Sequence, residues 1–418
     1  MNTEQPLPPG WRWVRLGDCG ELAAGVTLGR RLESQCVRAV PYLRVANVKD
    51  GHIDLRDVAT TPASAAEVKS LALKRGDLLL TEGGDADKLG RGAVWEGQLP
   101  ECIHQNHIFR LRIDAARMEP AFVAFQVASP HGRAYFMGHA KQTTGIATIN
   151  QRVLRDLPLM LPPLAEQRRI AAMLNAQMAA VDQARAAAEA RLEAVKALPA
   201  ALLREVFPRD ASDAPDGWRT LPLGECGEVR SGVTLGRRIE GAGVRSVPYL
   251  RVANVKDGYL DLCDVAYTPA TAEEIAALVL RRGDILLTEG GDADKLGRGT
   301  VWDDQLPGCI HQNHIFRVRI SADSADPAFV ALQAGAAYGK AYFLRHAKQT
   351  TGIATINQRV LKAFPLLMPP LLEQRRLAAL LNAQMAAVEQ ARAAAEAELE
   401  AIKALPAALL RRAFSGEL

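Results

Sequence analysis

The chain has 418 residues, 48% apolar and 23% charged, with a net charge of +4. That length predicts two or more globular domains, and no apolar run of about 18 residues marks a membrane span. The opening Met-Asn-Thr-Glu-Gln-Pro lacks the basic start and apolar core of a signal peptide, so a cytoplasmic location is expected, and six scattered cysteines without a Cys-x-x-Cys pair predict no structural disulfides.

Along the chain, Pro41–Val48 (PYLRVANV) alternates apolar and polar residues, a strand pattern. Gly76–Leu80 (GDLLL) reads as a short buried strand, and Ile103–Ile113 alternates again. Glu119–Ala128 has helical spacing. Glycine-rich turns separate these pieces, which together predict a compact α+β domain. From Leu164 to about Leu198 glycine is absent, and Leu174, Val181, Ala188, Val195 and Leu202 recur every seven residues. Ile170, Met178, Leu192 and Leu198 widen the stripe. This predicts a long amphipathic helix of coiled-coil type, about 35 residues and roughly 50 Å long. Pro162-Pro163 sets its start, and Pro199 should kink or end it.

The pattern then begins again. Trp11 and Trp218 sit in matching Gly-Trp-Arg contexts, and 218 minus 11 is 207. The same offset relates Tyr42 to Tyr249, His104 to His311 and Glu166 to Glu373, with no gap. PYLRVANVKDG, LLTEGGDADKLGRG and AKQTTGIATINQRVL occur identically in both copies. The second long helix carries Leu381, Val388, Ala395, Ile402 and Leu409, starts at Pro369-Pro370 and meets Pro406. A period this long is a duplicated domain with its connector, not a solenoid. The expected fold is two globular α+β domains, 1–162 and 208–369, separated by helices in 163–207 and 370–418. The helices would close as an antiparallel coiled coil with pseudo-two-fold symmetry. Two domains on a rigid spacer suit a ligand with two sites, such as a pair of DNA half-sites.

The candidate contacts are loops. Arg30 and Arg31, with Arg237 and Arg238, follow Gly-Val-Thr-Leu-Gly and could meet phosphate or guanine. Thr81–Gly92 (TEGGDADKLGRG) is not a Walker loop, but its glycines could bring backbone amides near phosphates, with Lys88 and Arg91, and Lys295 and Arg298, adding charge. Gln105, Asn106 and His107, with Gln312, Asn313 and His314, could reach base edges; strand alternation would put Cys102, His104 and Asn106 on one face. Lys141, Gln142, Thr143 and Thr144, with Lys348, Gln349, Thr350 and Thr351, carry donors for backbone or base. Each group reads equally as an ordinary solvated turn. Cys102, His104 and His107 lack a fourth ligand and fit no structural zinc spacing, so no metal is expected. Thr148 and Asn150 are placed to cap a helix holding Val153 and Leu154. No cofactor loop, methyltransferase motif, nuclease cluster or nucleophile elbow is found, so no catalytic residue is expected.

The order domain, long helix, domain, long helix resembles the specificity subunits of type I restriction–modification systems. So do the opening LPPGWRWVRLGD, the junction LPLMLPPLAEQRRIAAML with its copy FPLLMPPLLEQRRLAALL, the segment TTGIATINQRVL and the terminal FSGEL. The resemblance spans essentially the whole chain. It implies a non-catalytic subunit that binds double-stranded DNA through two target-recognition domains, while its helices space them and dock two methyltransferase subunits, to which restriction subunits can be added. S-adenosylmethionine, ATP and Mg²⁺ would then belong to those partners. The rival readings are a coiled-coil scaffold that never touches DNA and a self-contained methyltransferase or nuclease.

Overall fold

The computed structural model describes residues 7–30, 37–84, 89–143, 146–236, 239, 243–291, 296–321, 323–350 and 353–415. The chain forms two compact units, Met1–Glu189 with Ala397–Leu418, and Ala190–Glu396. Both are mixed α/β and each contains parts of both long helices.

In the first unit the described strands are β1 (Arg12–Arg15), β2 (Gly20–Ala24), β3 (Val37–Leu43), β4 (Ala59–Ser64), β5 (Asp77–Thr81), β6 (Gly83–Gly84), β7 (Gly92–Val94), β8 (Ile103–His104), β9 (Ile108–Ile113), β10 (Lys141–Thr143), β11 (Ile146–Thr148) and β12 (Pro158–Leu161). The helices are α1 (Ala65–Leu71), α2 (Pro120–Ala128), α3 (Pro130–His139), α4 (Gln151–Arg155) and the long α5 (Leu164–Val206). An antiparallel sheet has the order β2-β9-β5-β7, and three smaller sheets are β4-β3-β8, β10-β11-β6 and β1-β12. Strand β5 is buried on both faces: Leu78 and Leu80 enter the main core, and Leu79 enters a second cluster around Trp95. That two-sided burial is why Gly76–Leu80 reads as a continuous apolar run rather than an alternation.

Two local expectations change. β3 ends at Leu43, because Asn47 folds the next residues into a tight turn: its side chain accepts from Arg44 N–H at 2.8 Å and donates to Asp54 and Asp57 carbonyls at 2.9 Å each. Ile103–Ile113 is not one strand. A turn closed by Ile108 N–H donating to Gln105 C=O at 2.9 Å divides β8 from β9, so the single face expected for Cys102, His104 and Asn106 does not exist. Asn150, rather than Thr148, caps α4, accepting from Val153 N–H at 2.9 Å; Thr148 belongs to β11.

The second unit repeats this with β13 (Arg219–Pro222), β14 (Gly227–Ser231), β15 (Arg245–Leu250), β16 (Ala266–Ala270), β17 (Ile285–Thr288), β18 (Gly290–Gly291), β19 (Gly299–Val301), β20 (Ile310–His311), β21 (Ile315–Ile320), β22 (Lys348–Thr350), β23 (Ile353–Thr355) and β24 (Pro365–Met368). Its helices are α6 (Leu223–Cys226), α7 (Ala272–Leu278), α8 (Pro327–Gly335), α9 (Ala337–His346), α10 (Gln358–Lys362) and α11 (Leu371–Phe414). The main sheet has the matching order β14-β21-β17-β19.

The long helices start where the paired prolines predict, since Glu166 and Gln167 N–H groups both donate to Pro163 C=O. Neither ends at its internal proline: α5 continues past Pro199 to Val206, and α11 past Pro406 to Phe414. In the first unit Ile170, Ala171 and Leu174 of α5 share the core with Leu410 and Ala413 of α11. In the second, Leu377, Ala378 and Leu381 of α11 cluster with Leu202, Leu203, Val206 and Phe207. The start of one helix thus meets the end of the other in each unit, which makes the pair antiparallel. Leu198 leaves the expected stripe and is 42% exposed; beyond Pro199 the packed positions are Leu202, Leu203 and Val206.

Candidate nucleic-acid interface

Four sequence-distant loop segments meet in the first unit. Strand β5 delivers Glu82 past Thr81. The Glu82 N–H donates to His107 C=O at 3.0 Å, and the Glu82 C=O accepts from Ile149 N–H at 2.8 Å. Gly83 and Gly84 form β6 and pair with Thr148 and Ala147 of β11, which in turn pairs with Lys141–Thr143. A Cβ at Gly83 would stand 2.7 Å from Ala147 O, so the close pairing requires glycine. The Gln105–Ile108 turn is held from its other side: Gln105 N–H donates to Leu43 C=O and Asn106 N–H to Val26 C=O, both at 2.9 Å. Gly25 lies directly beneath, where a Cβ would fall 1.9 Å from His104 O. The turn, the Glu82–Gly84 loop, the β10-β11 hairpin and the loop after Gly25 are therefore one assembly.

At its centre His107 Nδ1–H donates to Glu82 Oε2 at 2.5 Å, with side chains 55% and 30% exposed. This fixes the ring and leaves Nε2 as its remaining hydrogen-bonding atom. The second unit reproduces the framework: His314 donates to Glu289 at 2.6 Å, Glu289 N–H to His314 C=O at 2.9 Å, and Asn313 N–H to Val233 C=O at 2.9 Å. Lys141, Lys348 and Gln349 are exposed, while Gln105, Asn106, Gln312 and Asn313 are half-buried. The cluster can offer imidazole, amide, ammonium and carboxylate groups together at one surface, a mixture suited to reading donors and acceptors.

Arg30 sits differently. Its side chain is 19% exposed, with Nε donating to Glu67 Oε1 at 2.5 Å, Nη2 to Pro62 C=O at 3.0 Å and Nη1 to Thr27 C=O at 3.2 Å. The guanidinium holds the Glu67 carboxyl down at about 2 and pins its loop against β4 and α1. Arg91 and Arg298 are half-buried beside the ends of β5 and β17, where their carbonyls accept from Thr81 and Thr288 N–H at 2.9 Å. Arg31, Lys88, Thr144, Arg237, Arg238, Lys295 and Thr351 lie outside the described residues, as do the side chains of Gln142, Thr143 and Thr350.

Glu82 and Glu289 are the members that sequence reasoning passed over. Their signal was a carboxylate beside Gly-Gly, present in both copies. The residues around Cys102 do not gather into a metal site. His104 is fully buried, with Nδ1–H donating to Ile108 C=O at 2.9 Å, and burial pushes its pKa down to about 4. Burial pushes the Cys102 thiol up to about 12. Among the described residues no group of three or more His, Cys, Asp or Glu is placed to hold a metal ion, and no helix is long and apolar enough to cross a membrane.

Residues 8–192 match the family model described as "Type I restriction modification DNA specificity domain", and the 207-residue repeat carries the same sequence pattern through the second half. Over residues 8–192 the chain is thus similar to the DNA specificity domains of type I restriction–modification systems. It is 24% identical to the type I restriction enzyme StySPI specificity subunit of Salmonella potsdam and 22% identical to the EcoKI specificity subunit of Escherichia coli. Each alignment covers 99% of this chain and 90% of the relative. Its fold matches a chain from a type I restriction–modification system studied for complex assembly and conformational transition, with a TM-score of 0.75 over 99% of this chain and all of that one at 23% identity. The HsdS subunit from Thermoanaerobacter tengcongensis superposes with a TM-score of 0.65, also at 23% identity, over 100% of this chain and 99% of that one.

Proposed function

We propose that this chain is the non-catalytic specificity subunit of a type I restriction–modification system, that it reads two DNA half-sites, one through each recognition domain (1–162 and 208–369), and that the target is an interrupted palindrome. The carrying observation is the repeated assembly. Glu82, Gln105–His107 and Lys141–Thr148 recur as Glu289, Gln312–His314 and Lys348–Thr355 with the same hydrogen bonds. Side chains of the same type on the same framework present the same donors and acceptors to a groove. Lys141, Lys348 and the basic residues at 31, 88, 237, 238 and 295 supply phosphate contacts and a salt-dependent share of affinity. Arg91 and Arg298 add charge at the loop base, and Arg30 contributes by holding its loop. Gln142, Thr143, Thr144, Gln349, Thr350 and Thr351 extend the polar surface along the hairpins.

Two methyltransferase subunits dock on the helical regions 163–207 and 370–418, and restriction subunits join that core in the cytoplasm. S-adenosylmethionine, ATP and Mg²⁺ are bound by those partners. Methylome sequencing of the host with and without this subunit tests the reading. A gapped motif whose halves are inverted repeats is expected; a motif with unrelated halves refutes the symmetric assignment, and an unchanged methylome refutes the role itself.

A further inference from the structure

The two units are not equivalent at the junction between the sheet and the long helix. In the second unit a cleft of about 320 Å³ opens there, lined by Arg281, Arg282, Arg319 and Arg375 together with Asp284 and Asp326. Both carboxylates are engaged. Asp284 accepts two hydrogen bonds from Arg319, at 2.7 Å each, and one from Arg281 N–H at 2.8 Å. Asp326 caps α8 by accepting from Phe329 N–H at 2.9 Å. Arg282 pairs outward with Asp303 at 2.7 Å. Among the described residues, neither the Arg281 nor the Arg375 guanidinium forms an ion pair within 4.0 Å, so two unpaired, exposed arginines line the cleft. Gln374 fixes the geometry. It accepts from Asp326 N–H at 2.9 Å and donates to Pro369 C=O at 2.8 Å, which locks the first turn of α11, and with it Arg375, beside the start of α8.

The matching positions in the first unit differ in the direction that matters. Met118 stands for Ala325, a larger buried side chain at the same place, and Glu119 stands for Asp326. The longer carboxylate comes within 3.9 Å of Arg168, the counterpart of Arg375. The second unit thus carries the shorter side chain at both positions, and Arg375 lacks the carboxylate contact that Arg168 has.

We propose that this cleft is a binding site for a small phosphate-class oxyanion, present in the second unit and absent from the first. The Asp326 carboxylate, capped only by a neutral N–H, offsets these two guanidiniums in part and leaves a cationic surplus, and their planar forks match tetrahedral oxyanions. A lone carboxylate would satisfy one of them. The cleft stands before β17 and after β21, whereas Glu289 and His314 stand at the opposite ends of those strands, on the order of 15 Å away. A base contact at His314 does not fill it.

The test uses the purified full chain in phosphate-free buffer, titrated calorimetrically with inorganic phosphate, pyrophosphate, a nucleoside triphosphate and, as a control, acetate. One saturable site per chain is expected for at least one phosphate compound, and the strongest of them identifies the source as free phosphate or nucleotide. Arg375→Gln should weaken it about tenfold or more. Ala325→Met combined with Asp326→Glu, which installs the first unit's own residues, should do the same, with an unchanged circular dichroism spectrum and melting midpoint showing that the fold is kept. DNA binding by gel shift should be unchanged in both variants. Two sites per chain, no saturable phosphate binding at millimolar concentration, equal binding of acetate, or wild-type affinity in both variants would overturn the proposal.

Discussion

Truncating Leu410 to alanine should loosen the first unit, although Leu410 follows the second domain in sequence. Leu410 is 6% exposed and packs in one core with Ile170, Leu174 and Phe122. The neighbouring Phe414 ring meets Phe122 edge-on at 5.6 Å. Removing three buried carbons costs about 2.4 kcal/mol in transfer alone, and the cavity left behind brings the total to roughly 3–4 kcal/mol. Native-state hydrogen exchange followed by mass spectrometry locates the loss. Amides in α2 and in the first turns of α5 should exchange roughly 150- to 1,000-fold faster if they open with this core. Amides of β17 and β21 should keep their protection. Faster exchange confined to 208–369, with 7–189 unchanged, would show that the end of α11 does not close the first core.

Gly25→Ala would drive a methyl group to 1.9 Å from His104 O, so about 1–3 kcal/mol of overpacking should appear as a lowered midpoint in chemical denaturation; an unshifted midpoint would remove the close approach from the account. His104 and His311 are buried neutral with pKa values near 4, against about 6.5 in the unfolded chain. The unfolded state therefore takes up protons that the folded state refuses, and stability present above about pH 6.5 is lost as pH falls toward 4, by on the order of 3 kcal/mol per histidine. His104→Asn, which retains a donor for Ile108 C=O, should flatten the acid limb of the first unit's stability curve, and an unaltered limb contradicts the assignment. Lys141→Ala should reduce the slope of log affinity against log salt by about one without changing the preferred sequence; a changed sequence preference would make Lys141 a base reader instead.

Much of this fold is legible in the sequence because its strongest signals are periodic. The 207-residue offset and the seven-residue stripe need only counting, and Pro162-Pro163 marks a helix start through a backbone rule that packing rarely overrides. The turn at Gln105–His107 was hidden for the opposite reason. It is imposed by the backbone of Val26 and Leu43, distant in sequence, and an alternating string carries no trace of such partners. Arg30 shows the same limit: an arginine in a glycine-bounded loop looks free until Glu67, thirty-seven residues on, is found beside it. Pro199 lacks the N–H that would break a helix by its absence only if tertiary packing did not hold the chain, and here Leu202, Leu203 and Val206 are packed beyond it.

The pattern of divergence separates what the two copies share from what they do not. His131 lies 6.1 Å from Trp13, and its counterpart Tyr338 donates its hydroxyl to Pro365 C=O at 2.8 Å; both serve packing. Gly138 has open space where its counterpart Arg345 carries a side chain, so that change is absorbed at the surface. Arg56 pairs with Asp54 at 2.7 Å, and Cys263 replaces it on an exposed loop. None of these positions falls in Glu82–Gly84, Gln105–His107 or Lys141–Thr148, where the copies are identical. Drift has thus been tolerated in packing, on loops and at the arginine-lined junction, but not among the residues that converge around the His–Glu pairs. The proposed reading of matched half-sites accounts for that distribution, because under it a change in either cluster would unbalance recognition of a palindrome while a change elsewhere would not.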